Sequence, residues 1–253
     1  MWWALQRRTI YIGIFLVVIL ILISPFIFSS LRKEATCFDG KRNGAELGLD
    51  CGGGCQKICK FSAEDPIVLW SRSFEVRNGV YNSVAMVENP NPGIGAIDVS
   101  YTFKLFDSRN VLVYERKGVT DIPAQLRFPV FEGNIITGQR IPLRTFFEFS
   151  PDIFWLKQEN PDLRLKTAEQ KITGSESSPR VESIIENGSL KMVQDIELFI
   201  IVYDLVDNAI AGSKTFIEKI DSNSSKSVVF TWPEPFSYPV GRVEIIPKFN
   251  TRE

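Results

Sequence analysis

Ile97-Asp-Val-Ser-Tyr-Thr-Phe-Lys-Leu-Phe-Asp107 decides the fold of this chain. Val99, Tyr101, Phe103 and Leu105 fall on one side of an extended backbone, and Ser100, Thr102 and Lys104 on the other. That period of two is what a half-buried strand requires. Asn89 stands 18 positions before Asp107, inside Val84-Ala-Met-Val-Glu-Asn-Pro-Asn91. The arrangement returns later in the chain. Val181-Glu-Ser-Ile-Ile-Glu-Asn-Gly-Ser189 leads through a short loop to Val193-Gln-Asp-Ile-Glu-Leu-Phe-Ile-Ile-Val-Tyr-Asp204, with 17 positions between Asn187 and Asp204. One gap therefore lays Glu-Asn on Glu-Asn and Phe-Asp on Tyr-Asp, an internal repeat of about 90 to 100 residues.

Working outward, Asp107-Ser-Arg-Asn110 and Asp204-Leu-Val-Asp-Asn208 are turn sequences whose aspartates are placed to accept backbone amides. They predict hairpins to Val111–Tyr114 and to Ala209–Thr215, with later strands in 125–131, 139–149, 227–232 and 242–249. The run Ile196–Tyr203 is apolar almost throughout and reads as a strand buried on both faces or at a domain junction. Several short strands per unit suit two-sheet packing. The expected fold is mainly β: two tandem β-sandwich domains, 66–150 and 151–253, the second with a leading linker, Ser150 to Asp162. Phe154 and Trp155 give that linker apolar weight enough to pack against a domain.

The run Phe103-Lys-Leu-Phe-Asp107, and more loosely Ile200-Ile-Val-Tyr-Asp204, resembles the FxLYD domain family over roughly 60 residues of each unit. The resemblance implies immunoglobulin-like or fibronectin-like sandwiches and brings no active site with it. The residues that carry it form a strand and its turn, which is also their structural reading.

At the other end of the chain, Thr9 to Phe28 is almost uninterruptedly apolar, and residues 10–28 carry no charge. About 20 helical residues at 1.5 Å each cover the hydrocarbon core. Residues 9–30 are read as a transmembrane helix after a cytoplasmic tail, 1–8, with Trp2, Trp3 and Tyr11 as an interfacial aromatic belt. A cleaved signal peptide is the alternative, against a long apolar stretch and a poor small-x-small site at Ile27-Phe-Ser-Ser30. Orientation is contested by charge. Arg32, Lys33, Lys41 and Arg42 outnumber Arg7 and Arg8, which argues against an external carboxyl-terminal part. The cysteines argue for one, because clustered structural bridges belong to oxidising compartments. The expectation is a single-pass membrane protein with its carboxyl-terminal domains extracytoplasmic.

Those cysteines, Cys37, Cys51, Cys55 and Cys59, lie in a stalk segment, 31–65, at C-x13-C-x3-C-x3-C spacing. This is not the paired C-x2-C pattern of most four-cysteine zinc sites. Disulfides are expected, with a crossed arrangement, Cys37 to Cys55 and Cys51 to Cys59, favoured among three connectivities. Between the first two cysteines, Asp39, Asn43, Glu46 and Asp50 alternate with Gly40, Gly44 and Gly48. Two readings stand for them: oxygen ligands converging on calcium, or side chains capping their own turns. The spacing is not that of an EF-hand. The order Cys-x-Asp-Gly-x-x-Asn-Gly-x-Glu-x-Gly-x-Asp-Cys-Gly-Gly-x-Cys resembles a short cysteine-rich motif of secreted and surface-attached microbial proteins.

Composition narrows function further. Histidine is absent, which removes Ser-His-Asp, Cys-His and His-ligated zinc chemistry. A net charge of -1, from 29 basic and 30 acidic residues, lacks the basic excess of a nucleic-acid binder. Gly52-Gly-Gly54 and Gly93-Ile-Gly95 do not open a helix after a strand, so no nucleotide-binding loop is present. Asn187-Gly-Ser and Asn223-Ser-Ser match the N-glycosylation pattern. Trp232-Pro-Glu-Pro-Phe-Ser-Tyr-Pro239 reads as an edge-strand stop or as an exposed peptide-binding surface. No catalytic residue and no cofactor is expected, calcium being the one candidate ligand. The partners expected are the membrane, through residues 9–28, and an unidentified protein or surface polymer. The expected function is a non-enzymatic surface or envelope protein presenting binding or assembly modules. Its alternatives are an accessory subunit of a secretion or envelope complex and, behind that, a carboxylate-based hydrolase.

Overall fold

The computed structural model describes residues 2–31, 35–124, 127–158 and 164–249. Arg32 and Lys33 of the flanking-charge argument, Gln125 and the end of the linker, 159–162, lie outside these. The chain divides into two compact units, 1–55 and 56–253.

The first unit opens with α1, Trp2–Leu31, a single helix whose stretch Gln6–Pro25 is long and apolar enough to cross a membrane. A signal sequence near the amino terminus meets the same test of length and composition. Ile10, Phe15, Leu20 and Ile23 are exposed. Arg7 lies 3.8 Å over the Trp3 ring, joining charge and aromatic at the end of the apolar stretch. Among the described residues of this unit, the cysteine segment that follows carries an isolated bridge between Gly48 and Cys51. It is held by turns and by the Cys37–Cys55 disulfide, with Cα atoms 5.7 Å apart. Cys51 and Cys59 are disulfide-bonded as well, and no cysteine is free. Gly53 shows why glycines crowd this segment: it has φ of 57°, and a Cβ there would fall 1.6 Å from the Ala45 carbonyl oxygen.

The second unit is mainly β. Its first half runs β1 (Ile67–Arg77), β2 (Val80–Glu88), β3 (Ile94–Phe106), β4 (Leu112–Ile122), β5 (Arg127–Ile136), β6 (Arg144–Phe149) and β7 (Trp155–Lys157). Its second half runs β8 (Leu165–Thr173), β9 (Arg180–Asn187), β10 (Val193–Asp204), β11 (Ala209–Ile220), β12 (Ser224–Thr231) and β13 (Val240–Phe249). All pairings are antiparallel and fall into four sheets: β4-β3-β6 with β7 added to β3, β1-β2-β5, β11-β10-β13 and β12-β9-β8.

Alternation in the strands stacks these sheets. Val99, Tyr101, Phe103 and Leu105 of β3 meet Ala85 and Val87 of β2 in one core. Val84 and Met86, on the other face of β2, meet Ile201 and Tyr203 of β10 in a second. Leu198, Ile200 and Val202, on the other face of β10, meet Val181 and Ile185 of β9 in a third. The order is therefore β4-β3-β6, β1-β2-β5, β11-β10-β13, β12-β9-β8: two tandem sandwich-like domains fused by a core of their own. Close approach is built in at Gly212, where an added Cβ would meet Val84 Cγ2 at 2.7 Å. Ile196 to Tyr203 is buried on both faces and lies at the junction because β10 belongs to an inner sheet.

The repeat is visible atom by atom. Asp107 Oδ1 accepts the amides of Arg109 and Val111, both at 2.9 Å. Asp204 Oδ1 accepts those of Val206 and Asn208, at 2.9 and 2.8 Å. Each carboxyl is held below its ordinary pKa, first by the backbone amide of Val111 in one case and of Asn208 in the other. Asn89, buried, donates to the carbonyls of Ile94 and Pro123 and accepts the amide of Asn91. Asn187, buried, donates to those of Lys191, Ile220 and Asp221 and accepts the amide of Ser189.

Five strands lie where the sequence reading placed none: β1, β2, β7, β8 and β9, of which β2 and β9 hold the first stretch of each repeat. Trp155 of the linker is buried and pairs with Ala96, and Ile58 and Gln56 bond its flanks at 2.9 Å, so residues just beyond Cys55 and residues 155–157 both build the first sandwich. The strand expected over 139–149 starts only at Arg144, because Thr137–Arg140 is a turn with Gly138 at φ of 63°.

Candidate functional site

Where the two sandwiches meet, β1 and β6 of the first and residues 209–210 and 237–238 of the second enclose a cleft of about 720 Å³. That volume lies within the range of ligand sites. β1 and β6 are edge strands of different sheets, and hydroxyls join them where no ladder does. Ser71 Oγ donates to the Thr145 carbonyl at 2.7 Å. Ser73 Oγ bonds Thr145 Oγ1 at 2.8 Å and Ser83 Oγ at 2.6 Å. Arg72 reaches across the junction, Nη1 donating to the Ala209 carbonyl at 3.1 Å. Arg144 Nη1 donates to Asn110 Oδ1 at 2.9 Å. Phe146 and Tyr238, residues 58% and 60% exposed, complete the walls, and Phe146 is steadied edge-on by Phe106 at 5.5 Å.

Among the described residues one carboxylate lines the cleft, Glu75, whose Oε1 accepts the Gly79 amide at 3.3 Å. Burial, and then the neighbouring Glu75 charge, push the Tyr81 phenol up to about 12. A glycosidase needs two carboxyl groups flanking the bond it breaks, and this cleft does not assemble such a pair.

A second polar cluster sits in the junction. Lys248 is 6% exposed and donates to Thr120 Oγ1 of the other sandwich, with Phe128 at 5.7 Å under its amine. Burial lowers its pKa to about 8 against the opposing pull of Glu197 and Asp121, while Lys214 lowers it further. Glu197 is itself bridged by Lys214 at 2.8 Å. Tyr101 donates to Glu132 at 2.8 Å and its pKa is raised, chiefly by burial.

The residues proposed for calcium are arranged around amides. Asp39 Oδ1 accepts the Lys41 amide at 2.9 Å and Oδ2 the Asn43 side-chain amide at 2.8 Å. Both Asp50 oxygens accept the Gly40 amide at 3.1 Å, and Glu46 Oε2 accepts that of Asn43 at 3.3 Å. The Asp39 and Glu46 bonds are local, as in turn capping, while Asp50 ties the segment together across ten residues. Cys37, Glu46 and Cys55 cluster as well, but the two sulfurs form the disulfide and are not thiolate ligands.

Of the two glycosylation patterns, Asn187 is 1% exposed with its amide fully engaged, whereas Asn223 is exposed in the β11–β12 turn. Thr231 ends β12, an edge strand. Trp232 turns inward, its amide donating to the Pro179 carbonyl at 2.9 Å and its ring packing on Phe236 at 5.0 Å. The cleft itself was not legible in sequence, since the residues that face β1 across it lie more than 65 positions away in the chain. Tyr238, in the segment quoted as an exposed aromatic surface, was its one visible member.

No protein-family model matches the chain, and no curated protein matches it. Among solved structures it is similar to the N-terminal CBM22-1–CBM22-2 tandem domain of Xyn10C from Paenibacillus barcinonensis. The two are 11% identical, covering 76% of this chain and 93% of that one, with a TM-score of 0.17. A superposition of that quality carries no argument about residues or ligands.

Proposed function

We propose that the chain is a non-enzymatic, single-pass membrane protein of a cell surface or envelope. In this reading α1 stays in the membrane, the β domains stand on the extracytoplasmic side, and the fused sandwiches present the seam cleft as a binding surface. The observation that carries it is the state of the cysteines: all four, following an apolar helix, are disulfide-bonded. Bridges of that kind persist in oxidising compartments. Each contributes on the order of 2 to 4 kcal/mol, which suits a segment too small to build a core. The fused junction supports the binding role, because a cleft made by two domains keeps its shape only if they cannot swing apart.

Membrane-impermeant maleimide labelling of intact cells tests the reading. The expected result is no labelling before reduction, labelling after it, and retention of residues 1–31 in the mature protein. Thiols that react only after lysis would overturn the topology, and a mature chain beginning beyond residue 31 would overturn the anchor.

A further inference from the structure

We infer that the seam cleft recognises an acidic polysaccharide, its carboxylated sugars held by Arg72 and Arg144 between the rings of Phe146 and Tyr238. This inference rests on the reading of the protein as a displayed binding module. Its first support is the pairing of the arginines. Arg116, Arg127, Arg140, Arg180 and Arg242 each face a carboxylate. Arg72 and Arg144 instead donate to a carbonyl and to an asparagine oxygen, both neutral acceptors. Arg72 also acts on Asp204, whose carboxylate is already engaged by Val206 and Asn208. Among the residues that line the cleft, two guanidiniums stand against one carboxylate, Glu75, with Asp204 acting on Arg72 from outside the lining, and a guanidinium is the side chain best matched to a planar carboxylate.

The second support is shape. Phe146 and Tyr238 expose more than half of their surface beside those charges, and flat rings suit the C–H faces of pyranose sugars. Recognition of a peptide by strand addition needs a free strand edge. The edges of β1 and β6 that border the cleft are instead tied to each other through Ser71, Ser73 and Thr145. What remains is recognition by side chains alone, a guanidinium for the charge and a ring for the sugar.

Calorimetry on the full chain in detergent, with oligogalacturonate as the probe, tests this. The methyl ester of the same oligomer removes the charge, and an oligoglutamate of equal charge removes the sugar. Oligogalacturonate should bind, the ester at least about tenfold more weakly, and added salt should weaken binding. Arg144→Ala should lose about tenfold or more and Tyr238→Ala about threefold, each with unchanged Tm, since both side chains stand at the surface. No binding of oligogalacturonate, equal binding of the ester or of oligoglutamate, or an Arg144→Ala protein that folds and binds normally would each overturn the inference. Failure here with the expected maleimide pattern leaves the displayed module standing, so the two readings fail separately.

Discussion

The two copies of the repeat share their corners and differ in which strand they hide. Counting back from Asp107 and Asp204, Lys104 stands where Ile201 does and Thr102 where Phe199 does. β3 keeps that face outward, and β10 buries it in the junction. Counting back from Asn89 and Asn187, the relation reverses: Val84 is buried in the junction, and Glu182 at the matching position of β9 is ion-paired with Arg180. The copies are thus stacked head to tail, one kind of sheet from the first against the other kind from the second. Such a heterologous contact is open-ended in principle, and polar residues on the two unused faces close it. The lesson is that one strand pattern yields a domain, while a single face per copy decides what that domain adheres to.

The most severe way to break the comparison is to give copy two the residue of copy one. Ile201 is fully buried between Val84, Met86 and Phe74. Ile201→Lys places an ammonium there without a designed partner, at a cost of about 4 kcal/mol or more. Urea denaturation should show the loss as a lower midpoint, or as two transitions if the sandwiches come apart before they unfold. A midpoint within about 0.5 kcal/mol of wild type would refute the claim that this face holds the junction.

How much of this was legible follows from the same residues. Val99 to Leu105 and the Asp107 and Asp204 turns declare themselves, because alternation and short-range capping are local properties. The continuous apolar run Ile196 to Tyr203 announced double burial for the same reason. β1 carries a broken form of the same signal, Trp70, Phe74 and Val76 alternating with Ser71, Ser73 and Glu75 but interrupted by Arg72, and what no local pattern shows is its neighbours, reached by hydroxyl contacts to Thr145 and by Arg72 across the junction. Trp155 looked like linker because only the pairing to Ala96, some 60 residues away, makes it a strand. The cleft combined both difficulties. Lys248 was equally silent, one lysine among many until β13 carried it inside.

A smaller effect of opposite sign is expected at Lys248. Its folded pKa is about 8 against an ordinary 10.5. Below pH 8 the amine is charged in both states, and the folded protein bears the full cost of burying it. Between about 8 and 10.5 the folded state releases the proton while the unfolded chain keeps it, so this group's contribution rises with pH and levels off above 10.5. The shift corresponds to about 3 kcal/mol at most. Lys248→Met should therefore be more stable than wild type at pH 7, by about 1 to 3 kcal/mol, and the advantage should shrink as pH approaches 10. Taking the difference between the two proteins cancels the tyrosines, such as Tyr203, whose raised pKa values act at higher pH in both. A constant difference from pH 7 to 10 would show that the amine does not titrate in the junction.

Lys104→Ile, the reciprocal of the first substitution, should have the smallest effect. The lysine lies at the surface of β3, bridged to Glu148 at 2.6 Å, and exposed bridges of this kind add little. The variant should melt within about 2 °C of wild type. It also tests why the stack stops at two copies. Isoleucine gives β3 the apolar residue that β10 uses at the junction, but the face it would have to meet, that of β9, still presents Arg180 and Glu182 where β2 presents Asn82 and Val84. One altered face should not suffice, and the variant should sediment as wild type does. Adding Glu182→Val supplies the second face, and concentration-dependent association should then appear. If Lys104→Ile associates alone, the polar character of β9 is not what ends the stack, and Lys104 by itself separates a closed pair from an open array.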